Sequence, residues 1–279
     1  MAFRHIDVSP ISGALGAVIE GVDLSKPLPK PVFDEIRSAW LEYCVIFFRG
    51  QKLEPSQFVR FARKWGGIHL HPFLEPHPEH KEIIEIIKTE KDTYTFGDAW
   101  HSDQLFQRRP AKATMLYAKE VPEFGGDTLF ANMYLAYDGL SSGMKKILDD
   151  VRIEASGGTR SAQAATQNKG SMNSKAPPKN LSTSCFHPLF RTHPETGKKS
   201  LFIGNQVEGL KNFAREEAQP IIEYLRDFAE RPEFTCRFRW EVDSLAFWDN
   251  RCVQHYAVPD TDGKRRHMHR ITIKGDVPV

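Results

Sequence analysis

The residues best suited to chemistry in this chain are a His-x-Asp pair, His101 and Asp103, and a histidine far downstream, His255. Residues i and i+2 of an extended strand project to the same side, so both side chains of the pair could reach one ion. Two imidazoles and one carboxylate, bound on one face of an octahedral metal, are the ligand set of non-haem Fe(II) oxygenases. A bare His-x-Asp pair also arises by chance among surface polar residues, so it does not establish a metal site by itself.

Two arginines follow the distal histidine, in a segment (residues 266–273) that ends in apolar side chains. If this segment is a strand, Arg266, Met268, Arg270 and Thr272 share one face. Buried guanidinium groups are costly unless anions meet them, and a dicarboxylate cosubstrate and an anionic substrate would supply those anions. The alternative is a solvated basic strand edge. The three candidate metal ligands favour the anion pocket.

At this point the chain resembles the taurine dioxygenase/TfdA family of Fe(II)- and 2-oxoglutarate-dependent dioxygenases. The resemblance covers nearly the whole chain, and no single segment carries it alone. The matching segments stand in the family's order and spacing: Gly21-Val22-Asp23-Leu24, Trp100-His101-Ser102-Asp103, Gly125-Gly126-Asp127-Thr128, Trp248-Asp249-Asn250-Arg251 with Gln254-His255-Tyr256, and Arg266 through Arg270. The resemblance implies an oxidoreductase that uses Fe(II), with 2-oxoglutarate and O2 as cosubstrates and succinate and CO2 as coproducts.

The resemblance also assigns residues to the cosubstrate. Thr128 and Arg266 match the family residues that bind the far carboxylate of 2-oxoglutarate, and Arg270 is expected beside its near carboxylate or beside the substrate. Halogenating relatives carry a small residue in place of the carboxylate ligand, so the aspartate at position 103 favours hydroxylation.

For the substrate, the resemblance implies a small organic anion. His71 matches the family histidine that helps hold a sulfonate, and the backbone N–H of Gln104 is expected near Arg270 and the anionic head. Leu74 and Gly97 replace a tyrosine and an asparagine that contact the amino end of taurine, which puts taurine in doubt. We therefore expect a sulfonate or alkyl sulfate, hydroxylated next to the heteroatom and then cleaved at a C–S or C–O bond. An aryloxyalkanoate or another carboxylate is the alternative.

A different class stays open as well: a zinc-loaded, cupin-like binding protein or a metal hydrolase. Such proteins have no need of Arg266 and Thr128 at these spacings, and this is the feature that separates the classes.

Composition favours one enzyme domain over residues 1–279. The chain is 40% hydrophobic and has a formal net charge of +2, which argues against a nucleic-acid partner. No apolar run has membrane-spanning length, and the first residues lack the apolar core of a signal peptide. The four cysteines show no CxxC spacing, as expected of a reduced, cytoplasmic chain. We also expect a homo-oligomer, a dimer or a tetramer.

The elements that would position these residues predict a mainly β fold with flanking α-helices, a distorted jelly roll. The family fold, a double-stranded β-helix, has the same architecture. Apolar periodicity predicts helices over residues 31–43, 55–65, 133–151 and 217–230. It predicts strands over residues 3–8, 14–19, 44–48, 83–88, 111–118, 187–193, 200–203, 234–240, 245–248 and 266–273. The polar segment 157–184 is interpreted as a mobile lid over the site.

Overall fold

The structure is a computed structural model that describes residues 3–72, 74–157 and 184–279. Most of the predicted lid, residues 158–183, therefore lies outside the described residues. The strands are β1 (Asp7–Pro10), β2 (Ala17–Glu20), β3 (Val45–Phe48), β4 (Ile68–His69), β5 (Ile84–Lys88), β6 (Ala113–Glu120), β7 (Thr128–Asn132), β8 (Arg152–Ser156), β9 (Ser184–Pro188), β10 (Phe190–Thr192), β11 (Lys199–Leu201), β12 (Val207–Leu210), β13 (Thr235–Phe238), β14 (Leu245–Asp249), β15 (Val253–Ala257) and β16 (Arg266–Ile273). The helices are α1 (Lys30–Tyr43), α2 (Pro55–Arg63), α3 (Met133–Gly139), α4 (Ser142–Leu148) and α5 (Arg215–Ala229).

An eight-stranded sheet forms the largest layer. Its strands run in the order β1-β2-β3-β14-β6-β16-β4, and β5 also pairs with β16. The pairing is antiparallel except between β2 and β3. β16 has β6 on one side and β4 and β5 on the other, so it is not the solvated edge considered from the sequence.

The two faces of this sheet bury different clusters. Ile271 and Ile273 of β16 pack with residues of α1 and α2 such as Trp40 and Phe58. Met268, on the opposite face of β16, belongs to the cluster between the large sheet and a three-stranded sheet. This alternation is the period-2 pattern expected of a strand covered on both sides.

The three-stranded sheet, in the order β13-β7-β15, carries two of the predicted site residues. Thr128 begins β7, and His255 lies in β15 opposite Phe130. The cluster beneath them joins both sheets through Phe130, Phe238 and Trp248. The fold is therefore mainly β with flanking helices, as predicted.

The predicted helix over residues 133–151 is wrong in one respect, because it is two helices. Leu140 takes an extended conformation between them, and the Ser141 hydroxyl accepts a hydrogen bond from the Met144 N–H at 3.2 Å. This side-chain cap starts a new helix rather than continuing the old one. The first strand also begins later than predicted, because the N–H groups of Arg4 and His5 donate to the Glu35 carboxylate of α1.

The remaining predicted helices lie where the periodicity placed them, within two residues at each end. Periodicity did not predict the short strands β7, β8, β12 and β15. No helix within the described residues is long and apolar enough to cross a membrane.

Candidate metal and cosubstrate site

His101 and His255 are brought together by their backbones. They form an isolated antiparallel bridge, in which the His101 N–H donates to the His255 carbonyl at 3.1 Å and the reverse bond measures 2.9 Å. Their rings lie 4.1 Å apart between centroids. The sequence predicted the His-x-Asp pair on an extended strand, and this is wrong, because Asp103 already begins a turn.

The turn nevertheless presents the carboxylate to both rings. Asp103 Oδ1 lies 3.6 Å from His101 Nε2 and 3.8 Å from His255 Nε2. One ligand atom from each of the three residues lies within 4.8 Å of the other two. The structure thus gathers the three residues that the sequence singled out, in a group of the size that one metal ion occupies.

The protonation of the histidines suits metal binding. His101 Nδ1 lies 2.7 Å from the Ala99 carbonyl, so this nitrogen donates and Nε2 presents its lone pair to the centre. Burial lowers the pKa of His101, although Asp103 opposes that effect, and burial lowers the pKa of His255 well below its ordinary value. Both imidazoles are therefore neutral near pH 7, as metal ligation requires.

A closed set of hydrogen bonds fixes Asp103. Thr114 donates its hydroxyl to Asp103 Oδ2 at 2.5 Å, and the Asp103 N–H donates to Asn250 Oδ1 at 3.1 Å. Asn250 in turn donates from Nδ2 to Thr114 Oγ1 at 3.0 Å and accepts from Trp248 Nε1 at 3.0 Å. These bonds leave Oδ1 directed at the histidines. The sequence analysis missed Thr114 and Asn250, and only the position of Asn250 inside the Trp248–Arg251 motif pointed to it.

The turn that carries Asn250 is held by buried charges. Arg251 binds Asp249 with its backbone N–H, Nε and Nη2, at 2.7 to 2.9 Å, and a second carboxylate, Glu195, at 2.6 Å. His193 Nε2 lies 3.0 Å from Asp249. A charged group buried with several partners in good geometry fixes the local backbone, because losing any partner leaves an unpaired buried charge.

Arg270 contacts the candidate metal ligand directly. Its Nη2 lies 2.5 Å from Asp103 Oδ1, the oxygen that also faces both histidines. Burial alone would raise the pKa of Asp103, but Arg270, the two histidines and the Thr114 hydroxyl hold it well below its ordinary value. Arg270 Nε is buried and has no hydrogen-bond partner within the described part of the chain. The guanidinium therefore has capacity for a further anionic or carbonyl oxygen.

Arg266 is a buried cation with no short ion pair among the described residues. Burial lowers its pKa to about 10, and Asp127 partly offsets this, so the group stays charged at neutral pH. Its Nη2 has no hydrogen-bond partner in the described residues, and its guanidinium lies 5.8 Å from the centroid of Trp240. Trp240 Nε1 donates to Thr128 Oγ1 at 3.0 Å, so the Thr128 hydroxyl keeps its own proton for another acceptor. Arg266 and Thr128 thus both have hydrogen-bond donors available for a carboxylate.

The glycine turn makes room for Arg266. Gly126 has φ +72°, and a Cβ there would lie 2.8 Å from Thr261 Cγ2 and 3.2 Å from Arg266 Cδ. Its N–H donates to Asp260 at 2.6 Å. The tight turn predicted at Gly125 and Gly126 is therefore present, and the arginine passes close to its backbone.

The predicted substrate residues lie on two segments. His71 is half-buried, and its Nδ1 accepts the Leu74 N–H at 3.0 Å. Gln104 has φ +57°, and its side-chain amide lies 3.1 Å from Nδ1 of His69, whose Nε2 lies 3.2 Å from Gln107. The sequence analysis did not name His69, whose ring contacts the Gln104 side chain.

Both departures from taurine dioxygenase have structural consequences. Leu74 is buried in the cluster between the sheets, so this position contributes apolar surface. Gly97 has φ +90°, and a Cβ there would lie 3.4 Å from His101 Cε1. A larger side chain at position 97 would contact a candidate metal ligand in a strained backbone conformation.

The donor set fits Fe(II). Two neutral imidazoles and one carboxylate, without a cysteine, match the facial set of non-haem iron oxygenases. The hydrogen bonds to His101 Nδ1 and Asp103 Oδ2 are the outer contacts that commonly orient such ligands.

Comparison with known proteins gives one consistent result. The sequence pattern described as "Taurine catabolism dioxygenase TauD, TfdA family" matches residues 7–272. An alpha-ketoglutarate-dependent sulfate ester dioxygenase of Pseudomonas putida is 31% identical, over 99% of this chain and 91% of its own length. An alpha-ketoglutarate-dependent 2,4-dichlorophenoxyacetate dioxygenase of Cupriavidus pinatubonensis is 30% identical, over 97% of this chain and 98% of its own. The crystal structure of a taurine dioxygenase from Burkholderia xenovorans superposes with a TM-score of 0.84 at 33% identity, and the match covers 99% of this chain and 93% of that one.

Proposed function

The chain belongs to the TauD/TfdA family and is a 2-oxoglutarate-dependent dioxygenase, and from that premise we propose that it hydroxylates a small organic anion. One observation carries the proposal: Arg266 and Arg270 are buried on the strand that borders the His101–Asp103–His255 group. Each of these arginines has a side-chain nitrogen with no hydrogen-bond partner among the described residues. Buried cations of this kind are stabilised by anionic ligands.

In this proposal His101, Asp103 and His255 hold one Fe(II). When bound, the iron supplies the activation of O2 that is coupled to oxidative decarboxylation of 2-oxoglutarate. The chain keeps both imidazoles neutral and keeps one oxygen of Asp103 directed at them. A bound metal ion would share Asp103 Oδ1 with Arg270. Part of the Arg270 guanidinium would then be available to donate hydrogen bonds to a ligand.

Arg266 and Thr128 bind the far carboxylate of 2-oxoglutarate. A guanidinium and a carboxylate form two parallel charge-assisted hydrogen bonds. The Thr128 hydroxyl, whose oxygen accepts a hydrogen bond from Trp240 Nε1, adds a further donor. The near carboxylate would lie close to Arg270, whose Nε has no hydrogen-bond partner within the described part of the chain.

The substrate is a sulfate ester or sulfonate, with its anionic head near Arg270, His71 and the backbone of Gln104. His69, which holds the Gln104 side chain, supports this end of the pocket. Hydroxylation next to the heteroatom consumes one O2 and one 2-oxoglutarate and releases succinate and CO2. The hydroxylated carbon then forms an aldehyde or ketone, and the C–O or C–S bond breaks with release of sulfate or sulfite.

Aryloxyalkanoates are the alternative substrates, because their carboxylate would satisfy the same arginines and a relative that acts on one is nearly as similar as the sulfate ester enzyme. The decisive experiment is a panel of alkyl sulfates, sulfonates, aryloxyalkanoates and neutral or cationic controls, scored by succinate formation and substrate loss. Turnover of the sulfur-containing anions supports the proposal, and turnover of aryloxyalkanoates alone selects the alternative. Turnover of neutral or cationic compounds only would overturn the anionic substrate but not the dioxygenase assignment.

A separate measurement addresses the metal and cosubstrate. Anaerobic addition of Fe(II) and 2-oxoglutarate should give the weak visible charge-transfer band of an iron–keto acid chelate. A zinc-loaded binding protein or a metal hydrolase would give no such band.

We further propose that the two sheets form a distorted jelly roll, the double-stranded β-helix, and that the enzyme works in the cytoplasm as a homo-oligomer, a dimer or tetramer. All four cysteines are free, which is consistent with a reducing compartment.

A further inference from the structure

A second histidine cluster lies on the face of β16 opposite the two arginines. His267 and His269 alternate with Arg266 and Arg270 along this strand, so they project to the other side of the sheet. Glu85 of β5 pairs directly with His269 in the antiparallel register. The cluster is thus separate from the candidate iron site, although Arg270, which contacts Asp103, lies on the same strand.

Three of its residues present ligand atoms to one point. One atom each from His77, Glu85 and His269 lies within 4.8 Å of the other two. Glu85 Oε1 lies 3.7 Å from His269 Nε2, and the rings of His77 and His269 lie 5.7 Å apart between centroids in an edge-on arrangement. Two imidazoles and a carboxylate at these separations are a donor set for a divalent transition metal.

The loop that carries His77 is fixed by the backbone. The His77 N–H donates to the Ile83 carbonyl at 2.9 Å, the Ile83 N–H donates to His80 at 2.9 Å, and Pro76 forms a bridge with Ile84. This small hairpin sets His77 over β5. The third donor is therefore positioned by the fold and does not depend on a free loop.

The hydrogen bonds around the cluster suit ligation. His267 Nε2 lies 3.0 Å from Glu85 Oε1 and orients the carboxylate, as outer hydrogen bonds commonly do around metal ligands. The Glu79 N–H donates to His77 Nδ1 at 3.2 Å, so ligation through Nε2 would move the ring proton to Nδ1 and release this long bond.

A cavity gives access to the cluster from solvent. It has a volume of about 640 Å³, and His77, His80, Glu79 and Glu85 are part of its lining. His80 lies next to His77, with 5.6 Å between ring centroids, and is close enough to supply a further donor after a local change. An ion can therefore reach the cluster without passing through the candidate active site.

We propose that His77, Glu85 and His269 form a second metal site, one for a divalent ion of the zinc class, completed by water or by His80. Zinc accepts nitrogen and oxygen ligands in a tetrahedral arrangement, which three protein donors and one further ligand provide. An ion there joins β5, β16 and the 76–80 hairpin, and so stabilises the strand that carries Arg266 and Arg270. The site requires neither 2-oxoglutarate nor turnover.

The test is the zinc stoichiometry of the full chain after equilibrium dialysis against buffered Zn²⁺. We expect two ions for the wild type, one for Asp103→Ala, and one for each of His77→Ala and Glu85→Gln. Glu85→Gln keeps the side-chain shape and an acceptor for His267, so it decides the result if His77→Ala does not fold. His5→Ala, at an exposed histidine outside the cluster, should keep two ions.

A thermal measurement separates the two sites. Zn²⁺ should raise the Tm of Asp103→Ala but have much less effect on Asp103→Ala/Glu85→Gln, because a ligand that binds only the folded state stabilises it. Anomalous scattering at the zinc edge from wild-type crystals should place an ion between His77 and His269. A zinc content that is the same in the wild type and in folded Glu85→Gln, or no anomalous peak at this position, would overturn the proposal.

Discussion

Arg270 Nη2 and Asp103 Oδ1 form a 2.5 Å ion pair, and the same carboxylate oxygen faces His101 and His255. The guanidinium thus compensates the charge of a buried carboxylate and helps to hold the pKa of Asp103 well below its ordinary value. A metal ion of charge +2 would take over that compensation. We therefore expect the anion-binding capacity of Arg270 to depend on metal loading, because a bound metal ion and Arg270 would compete for Asp103 Oδ1.

Asp103→Ala should abolish high-affinity Fe(II) binding at the His101–Asp103–His255 group and nearly all turnover. It removes one of three candidate protein ligands and leaves Arg270 without its ion-pair partner. We expect the Kd for Mn²⁺ or anaerobic Fe²⁺ to rise by at least about 100-fold, measured by titration calorimetry. Asp150→Ala, at an exposed aspartate, is the matched control and should bind as the wild type does. Parental iron binding and turnover in Asp103→Ala would show that the metal site lies elsewhere.

Thr114→Val should weaken metal binding while preserving the fold. The substitution keeps the shape of the side chain but removes the hydroxyl that donates to Asp103 Oδ2 and accepts from Asn250. The loss of such an outer contact commonly costs about 10- to 100-fold in metal affinity. Thr272→Val, at the threonine paired with Thr114 across the sheet, is the control. If both variants bind metal equally well, the hydrogen-bond ring does not position the carboxylate.

Arg266→Lys should raise the KM for 2-oxoglutarate by about tenfold or more, although charge is retained. Lysine keeps the positive charge but cannot form the two parallel hydrogen bonds of a guanidinium with a carboxylate. The measurement is initial rate against 2-oxoglutarate concentration at saturating substrate. Arg265→Lys tests the neighbouring arginine, which pairs with Glu120 at the surface and should leave the KM unchanged. An unchanged KM in Arg266→Lys would place the cosubstrate carboxylate on another residue.

Acid should destabilise the metal-free protein through its buried histidines. Burial lowers the pKa of His187 to about 4, and its Nε2 donates to the carbonyls of Leu105 and Gln107 at 2.8 and 3.0 Å. In the unfolded chain a histidine titrates near pH 6.5, so between about pH 6.5 and 4 the unfolded state binds more protons. Stability contributed by the neutral ring is complete above this window and is lost as the pH falls through it.

The variant His187→Gln isolates this contribution, since its amide N–H can still donate to a carbonyl. Urea unfolding with a chelator at pH 7.5 and pH 5 should show that the wild type loses at least about 1 kcal/mol more than the variant. His5→Ala, which changes an exposed ring, should follow the wild type. Equal losses in wild type and His187→Gln would contradict a depressed pKa at this position.

The chemistry of the site could be read from sequence because it depends on residue type and on short-range periodicity. His101, Asp103 and His255 were identified as a donor set from their residue types together with the resemblance to the family, and the alternation along residues 266–273 placed Arg266 and Arg270 on one face. The helices α1, α2 and α5 were predictable for the same reason, since each repeats its apolar residues at helical spacing. The strand alternation and the helices are local features, and the local backbone decides them.

The contacts that make the site work were decided by tertiary structure, because they join residues with no fixed spacing in the chain. The bridge between His101 and His255, the Arg270–Asp103 ion pair and the Thr114–Asn250 hydrogen bond each connect different strands or turns. No periodicity in the sequence encodes them, and even the strand predicted for the His-x-Asp pair was replaced by a bridge and a turn. Residue types thus determined which chemistry was available to this protein, and long-range strand pairing determined which of those residues meet.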